Sequence, residues 1–282
     1  MAQRYVDADC NIGLILGTGT NAAYVEDKAA ISKLGAGSKQ GGSMVVNMEW
    51  GNFRDESLKM TSYDHTIHAN SSTTGQVFEK MISGKYLGEI ARLAVLDAAA
   101  MGSYPTASES WLFKKDGDCD VGHLDAEIMG LVEQDTTPDL RHVGMVLETL
   151  EKAPPADADA ANNAKAWIRK SRPFVVGQGS PSVTSLDERR HVQDLCKAVS
   201  TRAARLCAAG IAGICLQAGY KGNVTVAVDG SLFEKYPLFG DRVQQGLVDI
   251  LGPGPASKVS LKLQPDGSGV GAAITAATMA SA

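Results

Sequence analysis

Three glycine-containing turns that follow apolar runs are the first feature of this sequence that could do chemistry. They are Gly17-Thr18-Gly19-Thr20-Asn21, Asp229-Gly230-Ser231 and Gly267-Ser268-Gly269. Glycine lets backbone N–H groups approach an anion closely, and the start of a helix adds donors and a favourable dipole. One such turn is usually only a tight turn, but three of them with Ser and Thr hydroxyls predict a cradle for phosphate.

The turns do not match the two commonest phosphate-binding motifs. The sequence has no GK[ST] triplet, which excludes a Walker-type loop, and no GxGxxG after a strand, which excludes a dinucleotide fingerprint. It also has no GxSxG, so a nucleophile elbow of the hydrolase type is excluded.

Two glutamates are the second candidate for chemistry. Glu49 closes an apolar run beside Trp50, and Glu79 lies in an apolar helical segment that follows Gly75-Gln76. Carboxylates in sugar pockets accept hydrogen bonds from hydroxyl groups, so both residues are candidates for that role. The alternatives are that Glu49 is a rim residue and that Glu79 is an exposed helical charge beside Lys80. The sequence does not show whether the two side chains converge.

Metal-binding patterns and paired cysteines are not evident. His65 and His68 lie three residues apart without a cysteine or carboxylate at a spacing that zinc would need, so we expect surface histidines and no protein-held metal. The five cysteines form no CxxC pair, and Cys196, Cys207 and Cys215 fall in one apolar helical segment. Buried free thiols in a reducing compartment are therefore expected.

The elements that must position these residues alternate between strands and helices. Apolar runs predict strands at residues 12–16, 22–26, 44–48, 223–228 and 259–263, and residues 55–72 are polar and irregular. Helical spacing begins at Gly75, is interrupted at Gly84, and returns from Thr137, over residues 186–217, over 243–251 and over 272–280. This alternation predicts an α/β fold.

Charge and composition limit the partners. The 282 residues carry 27 Lys and Arg against 32 Asp and Glu, a net charge of −5, which gives no overall attraction to nucleic acid or an anionic membrane. No apolar run reaches 18 residues without glycine or charge, so no membrane span is expected. Residues 153–185 are rich in Ala, Asp, Asn, Pro and Ser and predict a surface insertion. Their basic residues would also suit a nucleic-acid arm, but only Trp167 and Phe174 could stack on bases.

Several of these segments together resemble the eukaryotic hexokinase family. Residues 14–26 (LILGTGTNAAYVE), 46–53 (VNMEWGNF), 75–89 (GQVFEKMISGKYLGE) and 226–233 (VAVDGSLF) follow that family's motifs in the same order. The similarity runs from about residue 4 to the end except over 153–185. The residues of these segments are most like those of plant and green-algal members.

The resemblance implies an actin-like, ribonuclease-H-like ATPase fold in which this chain forms the large lobe, a mixed sheet flanked by helices. It implies transfer of the γ-phosphoryl group of ATP, with Mg²⁺, to the 6-hydroxyl of a hexose such as glucose. By position, Asn21, Glu49 and Glu79 resemble the family's sugar-binding residues. The positions that resemble its nucleotide contacts are Thr18, Gly84, Lys85, Gly230 and Ser231.

One departure concerns the family's catalytic aspartate. It lies in an Asn-Asp-Thr-Val-Gly segment upstream of the GTGTN turn, and no such segment occurs here. We therefore expect residues 1–282 to be the carboxy-terminal large domain, catalytically incomplete, against which an amino-terminal lobe docks. The alternatives are a non-catalytic sugar- or nucleotide-binding remnant, or a regulatory homologue. A more distant actin-like ATPase is disfavoured by the GQVFEKMISG helix. The cytoplasm is the expected compartment, and a plastid or the mitochondrial surface stays open.

Overall fold

The computed structural model describes residues 2–35, 41–102, 124–148 and 184–280. The chain divides into two compact units. The first unit comprises Met1–Glu56, Gly75–Gly84 and Arg202–Ala282, and the second comprises Ser57–Thr74 and Lys85–Thr201. The predicted insertion at 153–185 lies outside the described residues except for Thr184 and Ser185. Whether the whole chain acts as one large lobe stays a prediction.

A five-stranded mixed sheet forms the first unit and confirms the predicted strands. Its order is β3-β2-β1-β4-β5. Strands β1, β2 and β3 run antiparallel to one another, whereas β4 is parallel to β1 and β5 is parallel to β4. The strands are β1 (Cys10–Leu16), β2 (Thr20–Asp27), β3 (Ser43–Asn47), β4 (Val224–Asp229) and β5 (Val259–Leu263).

Burial along the strands shows how the sheet is covered. Strand β4 is buried at every position from Val224 to Val228, as expected for a parallel strand with both faces covered. Strand β1 alternates instead: Ile12, Leu14 and Leu16 are buried, whereas Ile15 is exposed on the opposite face. The site described below lies at the end of the sheet where β1 and β4 terminate.

Helices account for most of the rest of the described chain. In the first unit α2 (Val77–Ile82) contacts β2, and two further helices contact β4. The helices are α1 (Ser62–Asn70), α2, α3 (Gly84–Ala100), α4 (Ala126–Glu133), α5 (Arg141–Glu148), α6 (Leu186–Ala218), α7 (Ser231–Lys235), α8 (Phe239–Leu251), α9 (Pro253–Ala256) and α10 (Gly267–Ala280). The predicted interruption at Gly84 is confirmed, because α2 ends before Ser83 and α3 begins at Gly84.

The prediction that residues 55–72 are irregular is wrong, because α1 occupies Ser62–Asn70. A capping box starts the helix: Thr61 Oγ1 accepts from the backbone N–H of Asp64, and Asp64 Oδ2 accepts from the backbone N–H of Thr61 at 2.6 Å. Only Ile67 provides a buried apolar side chain in this helix, so its apolar periodicity is too weak to predict it. The Thr-x-x-Asp spacing was the available signal.

The third glycine turn opens the final helix, as expected, but that helix begins earlier than residue 272. Helix α10 begins at Gly267, so Gly267, Ser268 and Gly269 form its first turn. Likewise, α8 begins at Phe239 rather than at Val243, and Phe239 is fully buried.

Helix α6 combines the predicted buried thiols with an apolar stripe. Cys196 and Cys207 are free and buried, and Cys215 is half-buried. Burial raises the pKa of the Cys207 thiol to about 12 and that of Cys215 to about 11, so both are protonated and unreactive near neutral pH.

The same helix is long and apolar enough to cross a membrane by length and composition, with a mean hydropathy of 1.3 over its most apolar window. Half of that window is buried inside the protein, and core helices pass the same test. The absence of a membrane span therefore stays a prediction.

Candidate functional site

The turn between β1 and β2 is held by a tryptophan. Within the turn, the backbone N–H of Gly17 donates to the carbonyl of Gly19 at 3.0 Å. The Thr20 hydroxyl donates to the Ile15 carbonyl at 2.9 Å and accepts from the indole Nε1–H of Trp50 at 2.9 Å. Trp50 is only 4% exposed, so this hydrogen bond is shielded from water and fixes the turn against the interior.

Glu79 lies directly over this turn. Its Oε2 accepts from the backbone N–H of Thr20 at 2.9 Å. A Cβ atom on Gly19 would lie 2.8 Å from the same Oε2, so the glycine allows the carboxylate to approach the backbone. The alternative of an exposed charge pair is wrong: Glu79 is half-buried, and Lys80 is buried and donates to the carbonyl of Gly75 at 2.9 Å.

Glu49 stands at the end of β3 in a left-handed backbone conformation, with φ of 50°. This conformation turns the chain from the strand into a short 3₁₀ helix, Trp50–Asn52, and is uncommon for a residue other than glycine. Glu49 Oε1 accepts from Asn21 Nδ2 at 3.1 Å and from Asn47 Nδ2 at 2.8 Å. The structure therefore brings together the predicted residues Asn21 and Glu49.

Asn47 is the member of this cluster that the sequence analysis missed. It pairs with Ala23 of β2, and its Oδ1 accepts from Asn21 Nδ2 at 2.9 Å. Side chains two positions apart on a strand point to the same face, and Asn47 lies two positions before Glu49. This spacing was the signal available in the sequence.

Aromatic packing joins the segment after Glu49 to helix α2. The rings of Trp50 and Phe78 meet edge to face with centroids 5.5 Å apart, and Phe53 meets Phe78 in the same way at 5.9 Å. Beside them, Asn52 Oδ1 accepts from the backbone N–H of Gln76 at 3.2 Å, just before α2 begins. The elements that carry Glu49 and Glu79 are thus packed as one body.

Four of the predicted nucleotide contacts surround the same turn. The backbone N–H of Gly84 donates to the Gly17 carbonyl at 2.8 Å. A Cβ on Gly17 would lie 3.7 Å from the backbone nitrogen of Ser231. The side chains of Thr18 and Ser231 are exposed, so their hydroxyls are open to a ligand.

Glycine is required at position 230 for a reason that the turn pattern does not predict, in addition to any close approach to an anion. Gly230 has a φ of 132°, and a Cβ there would lie 2.4 Å from the carbonyl carbon and oxygen of Leu16. The close approach is therefore between two strand ends of the protein itself and not only towards an anion.

Lys85, the fifth predicted nucleotide contact, follows Gly84 in the chain but belongs to the second unit. Its Nζ lies 5.0 Å from the centroid of the Tyr86 ring, a cation–π contact. A nucleotide role for Lys85 stays a prediction.

A cleft of about 230 Å³ opens on the sheet of the first unit, and both Asn21 and Asn47 line it. Residues of β1, β2, β3 and β4 line it together with residues that follow β5, and both polar and small side chains are present. They include Gly13, Ile15, Asn21, Asn47, Asp229 and Gln264. Its lining therefore combines amide and carboxylate groups with small residues, which suits a small polar ligand.

Helix α1 carries the two histidines considered for zinc. His65 is exposed and His68 is half-buried. Over the ranges that the structure describes, no group of three or more His, Cys, Asp or Glu side chains converges as a metal site would require.

Known proteins are similar in sequence to this chain over most of its length. The hexokinase family model matches residues 11–278. Hexokinase-2 of Oryza sativa subsp. japonica is 38% identical over 97% of this chain and 50% of its own length. Hexokinase-2 of Solanum tuberosum is 37% identical over 98% of this chain and 50% of its own length. The chain spans about half the length of the curated relatives it matches.

Solved structures show the same relationship. A hexokinase crystal structure superposes with a TM-score of 0.62 and 29% identity, over 92% of this chain and 47% of that one. A hexokinase from Schistosoma mansoni complexed with glucose superposes with a TM-score of 0.64 and 28% identity, over 94% of this chain and 51% of that one. With the mixed sheet and its flanking helices, these similarities confirm the predicted actin-like ATPase fold. The chain belongs to the hexokinase family.

Proposed function

We propose that this chain supplies the hexose-binding and nucleotide-binding surface of a hexokinase-type phosphotransferase, which transfers the γ-phosphoryl group of ATP to the 6-hydroxyl of a hexose. Glucose is the proposed sugar. The observation that carries the proposal is the grouping of Asn21, Glu49 and Glu79 around the same β1–β2 turn that Gly84 and Ser231 approach.

The two carboxylates are arranged to accept sugar hydroxyls. In each of them one oxygen is engaged by the protein: Oε1 of Glu49 by two side-chain amides, and Oε2 of Glu79 by the Thr20 backbone. Within the part of the chain that the structure describes, the other oxygen of each carboxylate makes no hydrogen bond. An ionised carboxylate only accepts, so each free oxygen is matched to a hydroxyl donor.

The residues near the turn also fit a nucleotide. Thr18 and Ser231 present exposed hydroxyls, and Gly17 and Gly230 bring two backbone turns side by side without side-chain bulk. These groups would hold and orient the phosphates, and Mg²⁺ would be carried on the phosphate oxygens, neutralising charge as the phosphoryl group transfers. The protein's own contribution in such a reaction is positioning and exclusion of water.

Calorimetric titration with glucose tests the sugar site. Glu49→Gln and Glu79→Gln keep the size of the side chain but replace an acceptor oxygen with a donor. Each should weaken glucose binding by ~1.5–3 kcal/mol, which is about 10- to 150-fold in Kd. Glu56→Gln, at an exposed position of the same unit, is the matched control and should leave the affinity unchanged. Unaltered glucose affinity in both site variants would overturn the assignment.

A further inference from the structure

Strand β3 forms one edge of the sheet, and the register of its pairing with β2 shows which of its backbone groups are free. Along an antiparallel pair, residues that exchange hydrogen bonds with the partner strand alternate with residues whose N–H and C=O groups point away from it. Just after β3, the N–H of Met48 donates to the Ala22 carbonyl at 2.9 Å. Just before β3, the Gly42 carbonyl accepts from the N–H of Lys28 at 3.1 Å. Both bonds continue the β2–β3 register, so the even-numbered residues of β3 are the ones that bond to β2.

The odd-numbered residues of β3 therefore present their backbone groups to the outside of the sheet. These residues are Ser43, Val45 and Asn47, and no described residue forms a hydrogen bond to their N–H or C=O groups. Val45 is 47% exposed and Met44 is 38% exposed, so this edge is open to solvent and partly apolar. An open edge with these properties is a template for pairing with another strand.

Strand β3 lacks the features with which proteins usually protect an edge. Those features are charged side chains, proline and bulges. The sequence of β3 is SMVVN, and its pairing with β2 runs without a register shift. At the opposite edge of the sheet, β5 carries Lys262, whose Nζ donates to Asp7 Oδ2 at 2.7 Å. Of the two edges, β3 is therefore the one that is ready to pair.

We propose that β3 pairs antiparallel with β3 of a second copy of this chain, across a two-fold axis at Val45, so that the two sheets become one. In this arrangement Val45 lies opposite Val45 of the second copy, and Ser43 lies opposite Asn47 of the second copy. All three pairs are of the hydrogen-bonded kind, because these are the residues whose backbone groups face outward. Each free N–H then meets a free carbonyl.

The side chains of β3 are also self-complementary in this register. Met44 lies opposite Val46 of the second copy, which makes apolar cross-strand pairs on one face, and polar residues meet at both ends. Because β3 carries no charged residue, no like charges face each other along the ladder. A two-fold contact of one surface with itself is closed, so association should stop at the dimer.

The size of the contact sets its strength. A stable interface of standard size contains about 20–30 residues on each side, whereas β3 has 5 residues. The dimer should therefore be weak and reversible, with a Kd of about 10 µM to 1 mM.

Sedimentation equilibrium of the 282-residue chain over this concentration range tests the pairing. The mean mass should rise from that of the monomer towards twice that value. Val45→Pro removes an N–H that makes no bond to β2, so the sheet should stay intact, as circular dichroism would check, while Kd rises about 10-fold or more. Val45→Thr keeps the N–H and the strand propensity and is the matched control, with Kd changed less than about 3-fold. Equal self-association of Val45→Pro and the unsubstituted chain would overturn the proposal.

A pair of charge substitutions tests the two-fold register even if Val45→Pro fails to fold. Val45→Lys and Val45→Glu should each be monomeric alone, because like charges would face each other across the axis, and their equimolar mixture should dimerise. A mixture that stays monomeric would overturn the register. An unsubstituted chain that stays monomeric at about 1 mM would overturn the dimer and leave the edge to a strand of another protein or of a longer form of this chain. A mass that rises beyond the dimer would overturn the closed contact in favour of open-ended aggregation.

Discussion

The indole of Trp50 donates a 2.9 Å hydrogen bond to the hydroxyl of Thr20, and the backbone N–H of the same threonine holds the carboxylate of Glu79. Trp50 also directly follows Glu49 in the chain. A single buried hydrogen bond therefore connects the β1–β2 turn to both candidate sugar-binding carboxylates. We expect a substitution at position 20 to disturb the turn and the two glutamates together.

Thr20→Val tests this connection. Valine has nearly the same shape as threonine but leaves the buried Trp50 N–H and the Ile15 carbonyl without their partner. We expect the free energy of unfolding to fall by ~1–3 kcal/mol, the cost of an unsatisfied buried polar group. Chemical denaturation followed by circular dichroism measures it.

Thr18→Val is the matched control, because Thr18 lies in the same turn but is exposed. Its effect on the free energy of unfolding should stay within about 0.5 kcal/mol. Equal effects of the two substitutions would show that the Trp50–Thr20 bond does not hold the turn.

Gly230→Ala should destabilise the protein irrespective of any ligand. The new Cβ would lie 2.4 Å from the Leu16 carbonyl, and a φ of 132° is unfavourable for alanine. A loss of several kcal/mol, about 3 or more, is expected because neither strand end can move freely. Thermal unfolding without ligand checks this.

A glycine in an open position gives the opposite expectation. Gly213 lies in helix α6, and a Cβ added there would meet no atom of another part of the described chain within 4 Å. Gly213→Ala should raise the free energy of unfolding by about 0.5–1 kcal/mol, since alanine has the higher helix propensity. If Gly230→Ala were as harmless as Gly213→Ala, the close approach of β1 and β4 ends would be refuted.

The strands were predictable because each is a short apolar run closed by glycine or a polar residue. The site was only partly predictable. Glu49 meets Asn21 because β3 pairs with β2 in one register and because Glu49 adopts a left-handed conformation, and neither property is written in the local apolar pattern. Asn47 was missed for a related reason: an asparagine at a strand end resembles an ordinary turn residue until its partners are known.

Asp135 predicts a dependence of stability on pH in the second unit. Burial disfavours ionisation of its carboxyl group, but hydrogen bonds from the hydroxyl and backbone N–H of Thr137 and from the backbone N–H of Val143, with the charge interaction with His142, outweigh burial and lower its pKa. A carboxyl group whose pKa is lower in the folded state stabilises the protein above its unfolded pKa of about 3.9. That stability is lost as pH falls through the folded value.

Asp135→Asn should therefore lower the free energy of unfolding by ~1.5–3 kcal/mol at pH 7, with the deficit shrinking below about pH 4. Urea denaturation from pH 7 to pH 3 measures it. Asp139→Asn is the control, because Asp139 and its partner Arg141 are about half exposed and such pairs contribute little. A deficit that is constant over this pH range would contradict the role of Asp135 ionisation.

The last prediction concerns phosphorylation by these 282 residues alone. Among the carboxylates of the described site, Glu49 and Glu79 are the two that we propose accept sugar hydroxyls, and no residue near the turn is assigned to take the proton from the 6-hydroxyl. A positioned general base is commonly worth roughly 10²–10⁴-fold in rate. A coupled assay for glucose 6-phosphate, supplied with glucose, ATP and Mg²⁺, should therefore show turnover lower by about that factor than a full-length plant hexokinase assayed in parallel. Glucose binding would nevertheless be retained. Turnover that matches the full-length enzyme and is abolished by Glu49→Ala would mean that this chain contains its own base and is not a catalytically incomplete part.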